Sequence, residues 1–405
     1  MDTAIELRNR AGSFGAGGRR GGQLREQAVE RLHPDRLPVR EGSRSRSAAP
    51  DRLAVAVAGP AGGVVAAGDA ELAFTIQSIS KPFVFALALD ELGRDEVIRH
   101  VGVEPSGEPF NAISLEPSTG RPANPLINAG AIATTALVAR ADPSARASAI
   151  VAGLSRFAGR ELTTDEAVYA SESATGHRNR ALAHLLRSYR LIDGDPHDVV
   201  EAYFRQCSLL VTVADLAVMA ATLAFGGRNP VTGERVITAG TARDVVSVMT
   251  SCGMYDGSGS WLLRVGLPAK SGVSGGIIAV APSQFGVGVM SPRLDAHGNS
   301  TRASATLERL SDGLGMHVFD EHEAIAAPRV AIMRDHAGGV RVTLDGELSF
   351  SGAERLLAQL RGIHVDTDAI PLTVDLRGVT QMHPAALAVV RQQVAALGGT
   401  VEIED

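Results

Sequence analysis

The chain has 405 residues, 45% apolar and 21% charged, with a formal net charge of -6. It can fill one large core or two smaller ones, and its acid excess excludes a general nucleic-acid or membrane-surface binder, which needs a basic face. No apolar run reaches bilayer length, the N-terminus lacks the apolar centre of a signal peptide, and Cys207 and Cys252 stand in neither a CxxC nor a Cys/His cluster; the reading is a cytosolic protein without a disulfide framework or a zinc site.

Residues 1–52 carry eleven arginines against seven acidic residues in Gly- and Ser-rich tracts, the composition of a flexible arm with one short helix around 23–32. From Leu53, LAVAVAGPAGGVVAAGD reads as two strands about a Gly/Pro turn. FTIQSISKPFVFALALDELG reads as a buried helix opening near Ser78, because apolar residues from 83 to 89 cover every face, Pro82 fits only a first turn and Gly93 suits a C-terminal cap. Long helical stretches follow over 124–140, 161–189 and 198–227. Strands return near residue 260 in SWLLRVGLPAKSG, then in GGIIAVAP and QFGVGVMSP about a Pro-Ser turn. Strands at both ends with helices between predict an α+β domain over 53–326, whose antiparallel sheet is assembled from the two ends and flanked by a helical layer. After a closing helix and linker over 301–325, strand and helix alternate at short intervals, which predicts a separate small α/β domain over 328–405 with partly parallel strands.

The lysine count singles out the chemistry. Of 39 basic side chains 37 are arginine, and only Lys81 and Lys270 are lysine. Arginine stays charged in a protein, whereas a desolvated lysine can become a neutral amine and act as a base. Ser78 and Lys81 form Ser-x-x-Lys at a helix start, a spacing that sets alcohol and amine on one face, where a base can take the proton from a weak nucleophile. Lys270-Ser271-Gly272 ends a strand beside the Gly-rich Val273-Ser274-Gly275-Gly276, whose small residues let a substrate carbonyl reach backbone N–H donors. Ser-x-x-Lys on a helix with Lys-Ser-Gly on a strand is the signature pair of penicillin-recognising serine acyl-transferases. Their third element, Ser-x-Asn or Tyr-x-Asn, occurs nowhere in this chain.

Six further blocks point elsewhere within that fold. FTIQSISKPF, EPSGEPFN, NPLINAGAI, SESATGHRN, AYFRQCSLLVT, and CGMYDGSG with GLPAKSGVSGG closely resemble the serine-dependent glutaminase family, which has the β-lactamase/DD-peptidase-like fold. The resemblance implies hydrolysis of the side-chain amide of L-glutamine, a linear amide, to L-glutamate and ammonia with no cofactor and no metal. It implies Ser78 as nucleophile, Lys81 as its base, Tyr255 as a proton relay to the leaving ammonia, and the backbone N–H groups of Ser78 and Val273 as the oxyanion hole. Asn128, Glu172, Asn179 and Tyr203 fall at substrate-gripping positions, and Lys270 reads as electrostatic support. These types suit glutamine: an anion for its ammonium, amide donors for its carboxylate, and a nucleophile at the far end. Without the blocks, a solvated helix residue is the lesser reading of Glu172 and a helix cap before Gly130 that of Asn128, while Tyr203 with Phe204 reads equally as core. His177 has no metal-spaced partner and reads as solvated. Family members carry a Tyr-Ile-Pro segment before the first strand; here no tyrosine precedes Tyr169, which leaves open a wider pocket, a substitute residue or reduced activity.

VTLDGELSFSGAERLLAQL and PLTVDLRGVTQMHPAALAVV resemble the STAS domain, a regulatory and binding module. In its antagonist members the loop before the second helix carries a phosphorylated serine, whereas His383-Pro384-Ala385-Ala386-Leu387 here has no hydroxyl to phosphorylate. The leading expectation is a glutaminase that self-associates as a dimer or tetramer, takes a small-molecule substrate and binds no nucleic acid or membrane. The alternatives are a β-lactam or peptide hydrolase of the same fold, or an impaired glutamine-binding regulator.

Overall fold

The computed structural model describes residues 51–107, 115–320, 329–334, 339–362 and 372–403. Most of the expected arm and the expected boundary at 326–328 lie outside them. The chain opens with strands β1 (Ala54–Ala58) and β2 (Val64–Gly68), the expected hairpin, and a two-residue strand β3 (Phe74–Thr75). A 3-10 turn over Gln77–Ser80 leads into helix α1 (Lys81–Leu92), with Pro82 in its first turn and Gly93 at its C-terminal cap. Then come α2 (Arg94–His100), α3 (Asn128–Leu137), α4 (Arg146–Ala158), α5 (Glu166–Thr175), α6 (His177–Ser188) and α7 (Pro196–Cys207). Strand β4 (Leu210–Val211) pairs with β3, and α8 (Val213–Ala224), α9 (Ala239–Cys252) and α10 (Ser258–Arg264) complete the middle of the chain.

Two expected long helices are therefore broken. The 161–189 stretch divides at Gly176, where a side chain would run into Phe204 and the Glu172 carbonyl. The 198–227 stretch divides at β4, after which Thr212 and Asp215 start α8 with a reciprocal capping box. The strand expected at SWLLR is also corrected: it is helix α10, in which Ser258 and Trp261 face inward, Leu263 is 82% exposed, and the Trp261 indole donates to the Leu267 carbonyl at 2.7 Å. Three adjacent bulky apolar residues suggest a strand, but the burial follows the helical period of three to four.

Strands β5 (Ala269–Ser271), β6 (Gly276–Ala281) and β7 (Phe285–Met290) join the opening hairpin in one antiparallel sheet of order β2-β1-β7-β6-β5, so the two ends of the domain build it as expected. One face packs on α8, where Ala54, Ala56 and Ala58 meet Val213, Ala217 and Ala221, and Gly286 and Gly288 admit the helix backbone. The other face, through Ile277, Ala279, Val287 and Val289, packs with Trp261 of α10 and with Ala303 and Leu307 of α11 (Thr301–Leu314). Covered on both sides, β6 and β7 are apolar or Gly throughout and fully buried.

The C-terminal residues form a second sheet, order β11-β10-β9-β8, from β8 (Arg329–Arg334), β9 (Val340–Leu348), β10 (Leu372–Met382) and β11 (Thr400–Glu402), with helices α12 (Phe350–Gly362) and α13 (Pro384–Ala396) between strands. β8 and β9 are antiparallel, and the β9–β10 and β10–β11 pairs are parallel, as the alternation predicted. Its core includes Val342, Leu344, Leu356, Val374 and Val390.

Candidate active site

The Ser78 turn is fixed from below. The Ile76 N–H donates to the Leu209 carbonyl at 2.8 Å, anchoring the segment beside β4. Gln77 then adopts φ +49, a left-handed conformation that costs a non-glycine residue of order 1 kcal/mol or more and persists only where surroundings enforce it. The enforcing contacts are visible: Ser80 Oγ donates to the Gln77 carbonyl at 2.8 Å, Gln206 Nε2 donates to Ser80 Oγ at 3.3 Å, and Thr135 Oγ1 donates to Gln206 Oε1 at 3.0 Å. Ser78 emerges from this turn 8% exposed, and Lys81 follows at the start of α1 with no exposed surface.

Burial draws the Lys81 amine down to about 8, within reach of the neutral form at ordinary pH. Its Nζ donates to Asn128 Oδ1 at 2.7 Å. The Ser78 hydroxyl donates to the phenol oxygen of Tyr255, so alcohol and amine are each engaged by a third group among the described residues. Tyr255, itself at φ +57, donates to the Ser271 carbonyl at 3.2 Å, and burial pushes its phenol well up. Lys270 on β5 is fully buried, donates to the same Ser271 carbonyl at 2.6 Å, and holds its Nζ 4.1 Å from the centre of the Tyr255 ring. Burial, together with the charge of Lys81, pushes the Lys270 amine far down. The two lysines thus share one dry neighbourhood. Val273 stands in the turn between β5 and β6, where Gly272 lies against Ile79 of the Ser78 turn.

On the other side of Lys81, Asn128 is the first residue of α3 and caps nothing, since Ile127 holds the cap position without a side-chain bond. Its amide instead donates to Asn179 Oδ1 at 3.1 Å and its oxygen accepts from the Tyr203 hydroxyl at 3.4 Å. Tyr203 is buried with its hydroxyl turned toward the site, and Asn179 is half-buried at the start of α6. Glu172 is half-buried on α5; burial raises its carboxyl, while the Gln77 side chain donates to it and favours the charged form. His177 is exposed. Among the described residues no group of three or more His, Cys, Asp or Glu side chains could hold a metal ion.

A serine on a strained turn, a neutralisable amine beside it and a polar cluster facing both are the outfit of a hydrolase acting on a small polar amide. The glutaminase family model matches residues 46–319. The chain belongs to the glutaminase family. It is a hydrolase of glutamine metabolism, similar to Glutaminase 2 of Bradyrhizobium diazoefficiens, 50% identical over 72% of this chain, although the matched region spans only 46% of that longer relative. Similarity to the glutaminase of Corynebacterium glutamicum is 43% identity over 86% of this chain and 84% of that one. The solved structure of Mglu in its glutamate form is 39% identical, with a TM-score of 0.67 over 88% of this chain and 91% of that one.

Against the family blocks, three site residues were missed from the sequence. Gln77 has no outstanding side-chain chemistry, and its φ is illegible locally. Gln206 and Cys207 lie inside the AYFRQCSLLVT block but carried no signal of their own. Cys207 is buried near Lys81, Tyr203 and Ser80, and burial pushes its thiol up to about 12, so it serves here as a small polar filler of the wall.

Proposed function

We propose that the chain releases ammonia from L-glutamine through an acyl-enzyme on Ser78. The observation that carries this reading is the wholly buried Lys81 amine, held at about 8 beside the serine turn. In its neutral form Lys81 takes the Ser78 proton as the hydroxyl oxygen attacks the amide carbon. The developing oxyanion is met by the backbone N–H groups of Ser78 and Val273, the C–N bond breaks, and Tyr255 protonates the departing nitrogen while taking up in turn the proton held by Lys81, which leaves phenol and neutral amine as they began. Water, relieved of a proton by Lys81 or Tyr255, then cleaves the ester and returns free Ser78 and glutamate. Lys270 is the electrostatic support of the nucleophile region, its own amine held far down by burial and by the charge of Lys81.

At the other end of the substrate, Glu172 takes the ammonium, Asn128 and Asn179 donate to the carboxylate, and the Tyr203 hydroxyl lines the wall between them. The Asn128 bridge from Lys81 to Asn179 and Tyr203 supports placing both ends of glutamine in one pocket. Ser78→Ala is expected to abolish ammonia release while the circular dichroism spectrum and melting temperature stay near wild type. Ammonia release retained by that variant contradicts the assignment.

The C-terminal unit fits a STAS-like module, supported by its mixed four-stranded sheet with two intervening helices. His383 and Pro384 open α13 with no hydroxyl up to Leu387, so serine or threonine phosphorylation at that loop is chemically closed, and the module serves either as a passive oligomerisation or stabilising domain or as a nucleotide or partner sensor. A cytosolic, self-associating enzyme completes the reading. Neither cysteine forms a disulfide, and no helix among the described residues is long and apolar enough to cross a membrane.

A further inference from the structure

Helix α5 carries Glu172 yet contains no fully buried residue, so apolar packing alone does not fix its position. Its polar contacts converge on one carboxylate. Glu201, on α7 and only 19% exposed, accepts the Tyr169 hydroxyl on Oε2 at 2.8 Å, and accepts Ser173 Oγ at 3.0 Å and Arg180 Nη2 at 2.7 Å on Oε1. Tyr169 lies one turn before Glu172 and Ser173 directly after it, while Arg180 directly follows Asn179. Arg180 Nη2 also donates to the Ser173 carbonyl at 2.7 Å, across the break at Gly176, and its guanidinium lies 5.5 Å from the Phe204 ring centre. Arg205 covers the Tyr169 ring at 4.3 Å and pairs with Glu166 at 3.2 Å. His197 approaches Glu201 at 3.9 Å from the solvent side. Burial works against the Glu201 charge, but the donations of Tyr169, Arg180 and Ser173 prevail and hold its carboxyl below the usual range.

We propose that Glu201 is a positioning residue for substrate selection: by tying α5 and α6 to α7 it sets where Glu172 and Asn179 stand, and so governs the preference for a substrate bearing an α-ammonium. The inference rests on the reading of Glu172 as the ammonium partner. Glu201 itself need not touch substrate. Its charge is satisfied by three donors from two helices, and each donor lies within three residues of Glu172 or Asn179.

The test measures steady-state ammonia release from glutamine and from 4-carbamoylbutanoate, which has the same amide and carboxylate but no ammonium. Wild type, Glu172→Gln, Glu201→Gln and Glu201→Asp are compared well below their melting temperatures. Glu201→Gln is expected to raise KM for glutamine about tenfold, with kcat changed no more than about threefold, since a lost charge-assisted bond displaces binding groups without touching the nucleophile. KM for the des-amino amide, which meets Asn179 but has nothing for Glu172, should rise by a clearly smaller factor, so the preference for glutamine falls, and Glu201→Asp should restore part of it. An equal effect on both amides, or a loss confined to kcat, overturns the proposal. Should Glu172→Gln leave KM for glutamine unchanged, the reading of Glu172 fails first and the inference goes with it. Should Glu172→Gln raise KM while Glu201→Gln does not, the inference alone fails. If Glu201→Gln does not fold, Tyr169→Phe removes a single donor and must shift the same preference in the same direction; no shift refutes the clamp.

Discussion

Asn128→Asp tests the link between burial and base strength at Lys81. The wild-type amine, drawn down to about 8 by burial, is roughly one quarter neutral at pH 7.5, whereas an ordinary lysine would be neutral in about one molecule in a thousand. The substitution puts a carboxylate where the amide oxygen now sits, 2.7 Å from Nζ. An opposite charge at that distance favours the ammonium and raises the pKa by roughly 1 to 3 units. With a rise of about 1 to 2 units, the neutral fraction at pH 7.5 falls roughly 8- to 80-fold. The profile of kcat/KM against pH should therefore rise near pH 8 in wild type and at least about a unit higher in the variant, with part of the deficit recovered at alkaline pH. A uniform loss at every pH, with the rise still near 8, would mean that Asn128 contributes only substrate contact and that its neighbour is not the titrating base.

The same burial has a stability consequence. Lys81→Met should abolish turnover yet raise stability by about 3 kcal/mol at pH 7, because an apolar side chain replaces an amine that folding must otherwise desolvate while charged. The folded pKa lies below the unfolded value, so between about 8 and 10.5 the unfolded chain holds the extra proton and wild-type stability climbs with pH. The advantage of the Met variant should thus be full below pH 8 and gone by about 10.5; denaturant unfolding at pH 7 and pH 10 checks it, and a destabilised variant at pH 7 refutes it. In the sheet, Gly286→Ala would drive a Cβ into Ala221 N and the Ala217 carbonyl of α8. Backbone cannot yield as a flexible side chain would, so a loss of about 2–4 kcal/mol is expected in chemical denaturation, and an unchanged midpoint would mean that the sheet and α8 separate easily.

Much of the fold was legible because its signals are local. The alternation in AVAVA, the apolar runs of GIIAVA and FGVGVM, and the Pro82 and Gly93 boundaries all act over a few residues. The errors came where neighbours mislead: SWLLR has strand composition but buries at helical spacing, and the helix expected over 161–189 breaks at Gly176, a position where Phe204, 28 positions away, fills the space a side chain would take. The Asn128 cap reading failed for a similar reason. Its amide is claimed by Lys81, Asn179 and Tyr203, none of them nearby in sequence.

What the sequence by itself determined was the chemical repertoire: two lysines among 39 cations, one three residues after a serine, the other before Ser-Gly, within blocks that mark the family. Tertiary structure alone decided how those groups behave. It set the Lys81 amine near 8, turned Gln77 to a left-handed backbone, and brought the Tyr255 phenol into hydrogen-bond contact with the Ser78 hydroxyl. Periodicity and turn preference are written among adjacent residues, whereas desolvation and hydrogen-bond partners are properties of whatever the completed packing brings alongside.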